Sequence, residues 1–190
     1  MYEASLPHSQ GMQERTFIAH VEDRPGVLNR VASLFRRRGF NIESLTVGHT
    51  ERPGVSRMTI VTRVDEHMAR CLEANLYKLV NILHVEEVTH TPSVTRDLAL
   101  IKVRADANVR VQVLQISEIF RAHVVDIAPD ALILEITGTD DKIQSLVEVL
   151  HPFGILEMVC TGRVAMTRGA SVPPTKAEWF VEQLSEVAVS

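Results

Sequence analysis

The chain has 190 residues, 45% of them hydrophobic and 23% charged, with a formal net charge of −4 and a pI near 6.1. That is enough apolar material for two modest cores and too much for a disordered tail. The acidic balance argues against nucleic acid as a partner, because binding a phosphate backbone calls for a basic surface. No stretch approaches the ~20 apolar residues that cross a bilayer, so no membrane is expected either.

Residues 1–13 are polar and are read as a flexible N-terminal arm without a secretory or transit signal, which makes the cytoplasm the expected location. Thr16 to Glu22 then alternates in the manner of a strand. Asp23-Arg24-Pro25-Gly26 breaks it, and Val27, Leu28, Val31, Leu34 and Phe35 recur at helical spacing up to a stop at Gly39. Asn41 to Thr50 reads as a second strand, Glu51 to Gly54 as a turn and Val55 to Val64 as a third strand. Asp65 caps a second helix carrying Met68, Cys71, Leu72, Leu76 and Leu79, and Val80 to Thr91 returns as a fourth strand. The order is βαββαβ.

The order repeats. Asp97 to Arg104 is a strand, Ala107 to Ala122 a helix, and Val124 to Ala128 and Ala131 to Thr137 two strands about Pro129-Asp130. Asp140 caps a helix with Ile143, Leu146, Val147 and Leu150 inward, and Ile155 to Met166 closes the unit. A local match aligns Phe35-Arg36 and Ile42 with Phe120-Arg121 and Ile127. The expected fold class is α+β: two ferredoxin-like domains, residues 14–92 and 93–169, each an antiparallel sheet with both helices on one face. Such a sheet needs cover for its other face or its edge, so an oligomer is expected. Residues 170–190 read as a Pro-containing linker and a short helix opening at Thr175-Lys176-Ala177-Glu178.

The loop Asp23 to Leu28 carries the chemistry. Pro25 presets φ at a position whose N–H is dispensable, and Gly26 lets a ligand come near the backbone. The N–H groups of Gly26, Val27 and Leu28 stand where a helix begins and suit a carboxylate, while Asp23 suits an ammonium group. Together they fit a zwitterionic amino acid. The same residues also describe a helix capped by Asp23 with no ligand, and alone they do not decide between the two.

Other chemistries find little support. The eight histidines include no close ligand pair and the two cysteines no CxxC spacing, so no metal site is expected; Cys71 and Cys160 are read as buried reduced thiols. Arg36-Arg37-Arg38 fits the end of a helix, where cations complement the dipole. An RNA-recognition motif has this strand order but needs stacking aromatics on its central strands, and Val55 to Val64 has none. No nucleophile elbow, P-loop or HExxH is present. On a strand, Glu86 and Glu87 point to opposite faces and so cannot share a substrate.

From Thr16 to Gly169 the chain resembles the ACT-domain small regulatory subunits of acetolactate synthase, also called acetohydroxyacid synthase. The resemblance rests on Glu22-Asp23-Arg24-Pro25-Gly26-Val27-Leu28, on Leu34 to Leu45 with its Arg-Arg-Gly-Phe-Asn-Ile-Glu-Ser-Leu run, on Ser56-Arg57-Met58-Thr59-Ile60, on Leu98 to Val103 and on Phe120-Arg121-Ala122. It implies a homodimer through the ACT domains that binds valine, or leucine or isoleucine, between two subunits. Asp23, Gly26, Val27 and Leu28 of one subunit would face Asn41 and Ile42 of the other. It implies no catalytic site and no cofactor in this chain. The partner would be a large catalytic subunit holding thiamine diphosphate, Mg and FAD, activated by the small subunit and restrained by valine, with the second domain making the contact. Two departures stand out. Many relatives carry asparagine where this chain has Asp23, and the second unit has Ala105-Asp106-Ala107-Asn108 in place of the Pro-Gly loop, so only the first unit is expected to bind. The alternative is a free-standing amino-acid-binding ACT protein with another target.

Overall fold

The structure is a computed structural model that describes residues 11–170; the expected arm before residue 11 and the expected linker and helix after residue 170 lie outside the described residues. The described residues form two compact units, one made of residues 11–94 and 165–170, the other Thr95–Val164.

In the first unit β1 (Gln13–Glu22), α1 (Val27–Arg38), β2 (Ser44–His49), β3 (Val55–Val64), α2 (Glu66–Tyr77) and β4 (Ile82–Glu87) follow the expected order. The sheet runs β2-β3-β1-β4 and every pairing is antiparallel, with Phe17 opposite both Ile60 and Glu87. Alternation on β1 sends Phe17, Ala19 and Val21 into a core with Val31, Leu34 and Phe35 of α1 and Leu72 and Leu76 of α2. Burying each large side chain contributes about 1.5–3 kcal/mol. The second face of this sheet has some cover from the chain itself: Ile18 is buried against Val88 and Ala165.

The second unit contains the body of β5 (Ser93–Arg104), then α3 (Arg110–Phe120), β6 (His123–Ile127), β7 (Ala131–Gly138), α4 (Asp140–Leu150), a 3-10 turn at His151–Phe153 and β8 (Ile155–Cys160). Its strand order, β6-β7-β5-β8, is that of the first sheet, and Ile101, Leu132, Leu134 and Ile143 centre its core. The expected α+β class with two ferredoxin-like units is what the chain adopts.

Several local expectations need correction. Asn41 and Ile42 precede β2 rather than opening it, because Thr62 Oγ1 donates to the Asn41 carbonyl and the β2–β3 ladder begins only at Ser44. The closing strand of the second unit is interrupted: Gly162 takes φ +82°, and the chain resumes as β9 (Val164–Thr167). Cys71 and Cys160 are exposed free thiols, since Cys71 points away from the core stripe formed by Ala69, Leu72 and Leu76. Thr139, not Asp140, is the N-cap of α4, and Asp140 is its first helical residue.

The repeat also aligns differently from the local residue match. Gly39 ends α1 by donating to the Arg36 carbonyl, and Phe40 donates to that of Phe35. Arg121, at φ 53°, ends α3 with the same pair of bonds, from Arg121 to Glu118 and from Ala122 to Ser117. Gly39 therefore corresponds to Arg121, Phe35 to Ser117 and Ile42 to Val124. Val124 packs on the second core as Ile42 packs on the first, whereas Ile127 is exposed.

Candidate functional site

The β1–α1 loop is held at its β1 end by backbone bonds. The Asp23 N–H donates to the Gly54 carbonyl at 2.8 Å, and the Arg24 N–H donates to that of Glu22 at 2.9 Å. Gly26 is the N-cap of α1 at φ +84°, a left-handed conformation that side chains disfavour, although a Cβ there would meet nothing within 4 Å. Its glycine is thus required by the turn, and the space above it is open. Val27 is buried, while Leu28 lies exposed beside the loop.

No side chain caps α1, and its first turn holds no acidic residue. Among the described residues the Val27 N–H reaches only the Arg24 carbonyl, at a long 3.4 Å, and the Gly26 and Leu28 N–H groups donate no backbone hydrogen bond. The carboxylate of Asp23 is turned instead to His49 at the end of β2, with Oδ2 3.3 Å from Nδ1. The alternative in which Asp23 caps the helix is therefore not the arrangement seen. A row of donors and one carboxylate stand together at an exposed rim.

The corresponding loop of the second unit is occupied by its own side chains. Asp106 Oδ1 accepts from the N–H of Asn108 at 2.8 Å and of Val109 at 3.3 Å. The Arg110 guanidinium donates to the carbonyls of Ala105, Ala128 and Pro129. The donors that are open in the first unit are used internally here.

Asn41 and Ile42 are not brought to the loop of their own chain. They follow α1, whose 12 residues rise about 18 Å, while Asp23 to Gly26 precede it. The Asn41 amide donates to Glu43 Oε1 at 2.8 Å, its side chain is exposed, and Ile42 packs partly on the core. His49 and Gly54 also belong to this rim, beyond the residues expected from the motif. Their place beside Asp23 is set by the β2–β3 register, in which His49 faces Ser56, and no local pattern reports it.

A second group of titratable residues lies on the other face of the same sheet. His20 Nδ1 is buried without a partner, and Arg57 approaches His20 Nε2 at 3.5 Å while donating to the Ala165 carbonyl at 2.5 Å. Burial, then the charges of Arg57, His84 and Arg52, push the His20 pKa down from 6.5 to about 4, against a small opposing effect of Glu51. Glu86 faces Arg57 on this side, whereas Glu87 bonds Arg15 on the helix side, so the two adjacent acids do point apart. Among the described residues no group of three or more His, Cys, Asp or Glu could hold a metal ion, and no helix is long and apolar enough to cross a membrane.

Comparison with known proteins accounts for both units. The family model for an acetohydroxyacid synthase small-subunit-like ACT domain matches residues 17–84, and that for the small subunit of acetolactate synthase matches residues 96–169. An acetolactate synthase small subunit from Mycolicibacterium smegmatis is 48% identical over 161 residues, covering 85% of this chain and 95% of that protein. The chain belongs to the acetolactate synthase small-subunit family. A probable small subunit from Archaeoglobus fulgidus is 47% identical over 82% of this chain and 98% of its own length. The crystal structure of the Thermotoga maritima small subunit superposes with a TM-score of 0.77 at 38% identity, covering 84% of this chain and 99% of that one. As an acetolactate synthase small subunit, the chain is a regulatory component of branched-chain amino acid biosynthesis. The open loop at Asp23 falls in its ACT domain, and the self-filled loop at Asp106 in its C-terminal domain.

Proposed function

We propose that this small subunit raises the activity of the large catalytic subunit of acetolactate synthase and makes it answer to valine, or to another branched-chain amino acid, as a feedback inhibitor. The observation that carries the reading is the contrast between two equivalent loops. No side chain accepts from the N–H groups at the start of α1, while Asp106 accepts from the equivalent N–H groups of Asn108 and Val109 just before α3. An amino acid lays its carboxylate on the Gly26, Val27 and Leu28 N–H groups, its ammonium on Asp23 and its side chain toward Leu28 and Ile42.

The ~18 Å of α1 between Asp23 and Asn41 supports a site completed by a second copy, with the loop of one protomer facing Asn41 and Ile42 of its partner. The small subunit is on this reading a homodimer through its ACT domains, working in the cytoplasm. It has no catalytic site of its own; thiamine diphosphate, Mg and FAD belong to the large subunit, which the second domain contacts. Valine then shifts the pairing of ACT domains by its difference in affinity for two arrangements, and about 1–3 kcal/mol of such coupling is enough for graded control.

The test is acetolactate formation by the cognate catalytic subunit, with and without this protein, while valine is titrated. Activation that valine reverses is expected. Activation indifferent to all three branched-chain amino acids would remove the pocket, and binding of valine without any activation would favour a free-standing amino-acid sensor.

A further inference from the structure

A cavity of about 500 Å³ opens where the first strand begins, against the first turns of α2. It lies at the far end of β1 from Asp23, roughly 30 Å away for a 10-residue strand. Its floor is Arg15, only 5% exposed. The Arg15 guanidinium makes one hydrogen bond among the described residues, from Nη1 to Glu87 Oε1 at 2.7 Å, and its Nε is buried with no acceptor. A guanidinium has five N–H donors, and leaving them unsatisfied away from water is costly.

We propose that this cavity is a second small-molecule site of the subunit, built to take a small monocarboxylate on the guanidinium of Arg15. With Nη1 held by Glu87, the other guanidinium donors are left for the carboxylate. The N-terminus of α2 does not compete for the anion, because Asp65 already accepts from the Met68 N–H at 2.7 Å. Glu87 is paired with Arg15, and Glu66 with Arg70 at 3.0 Å, so the lining acids and arginines balance, and the directed guanidinium donors rather than net charge hold the carboxylate. A doubly charged phosphate would find no surplus of cations. Gln13 and His90, 3.4 Å apart, and Thr91 line the wall and provide further polar contacts for the ligand. The volume lies within the range of small-ligand pockets.

The experiment follows the arginine Nε–H resonances of the full-length ¹⁵N-labelled protein during titration with isobutyrate, which has no ammonium group to offer Asp23. Chloride at matched ionic strength and inorganic phosphate serve as controls. The Arg15 resonance, identified by its loss in Arg15→Lys, is expected to move saturably with isobutyrate, hardly with chloride and more weakly with phosphate. Arg70→Ala, a change at the exposed rim that spares the fold, should weaken isobutyrate about two- to fivefold. An Arg15 resonance that stays in place, that moves equally with chloride or phosphate, or whose isobutyrate affinity is unchanged in Arg70→Ala would overturn the proposal. None of these outcomes depends on whether valine binds at the Asp23 loop.

Discussion

Asp23 and His49 meet across the rim of the ACT domain, carboxylate Oδ2 to imidazole Nδ1 at 3.3 Å, although 26 positions separate them in the chain. The contact aims the carboxylate past the end of α1 and leaves the helix N–H groups without a side-chain acceptor. Replacing Asp23 with Ala should weaken valine binding about tenfold or more, the value of one charge-assisted hydrogen bond. His49→Ala should change it only a few-fold, since it frees the carboxylate without removing it. Isothermal titration calorimetry of both variants checks the order; equal losses would mean that orientation, not charge, is what matters.

A site shared between protomers has a signature that no single variant gives. Asp23→Ala and Asn41→Ala should each weaken valine binding about tenfold or more. Mixed in equal amounts and allowed to exchange protomers, they should recover about a quarter of the sites, because each mixed two-fold dimer has one intact site and one doubly altered one. Recovery of none would place Asp23 and Asn41 in separate functions.

Gly26 stands at φ +84° with open space where a Cβ would be. Gly26→Ala should therefore lower stability by about 1 kcal/mol through backbone strain alone, without steric rearrangement. Gly26→Asp should in addition lose valine inhibition, by setting a carboxylate where the ligand's own belongs. Urea unfolding measures the first effect and acetolactate formation the second.

Acidification should weaken the fold through His20. Its folded pKa of about 4 lies below the ordinary 6.5, so the unfolded chain binds the proton more readily. The associated stability is present above pH 6.5 and is lost as pH falls toward 4. Denaturant unfolding across that window should show a shallower decline for His20→Gln than for the parent chain; parallel declines would mean other groups dominate.

The order of elements was legible because the cores are written in period 2 and period 3.6: Phe17, Ala19 and Val21 on a strand, Val27, Val31 and Leu34 on a helix. Ends were less legible. Asp65 and Asp140 look alike in sequence, yet only Asp65 caps, accepting from Met68, while Thr139 takes the capping position before Asp140. Asp65→Ala should accordingly cost about 1 kcal/mol in urea unfolding, and Asp140→Ala clearly less. The Asp23 loop was visible as a motif, but its neighbours were not. His49 and Gly54 reach it only through strand register, and the buried Arg15 reads in sequence as one more charged residue on a strand. Local identity also misled, since Phe35 pairs by shape with Ser117 and not with Phe120.

The return of the chain to the first unit has a consequence for how the molecule can be taken apart. Residues from Ala165 rejoin the unit that the chain left at Val94, secured by Arg57 on the Ala165 carbonyl and by the Arg168 N–H on that of Pro92 at 2.8 Å. The second unit is thus a double-tethered insertion. A protease that cuts one junction divides the chain into two fragments that stay together only through these non-covalent contacts. Only two cuts release the inserted unit.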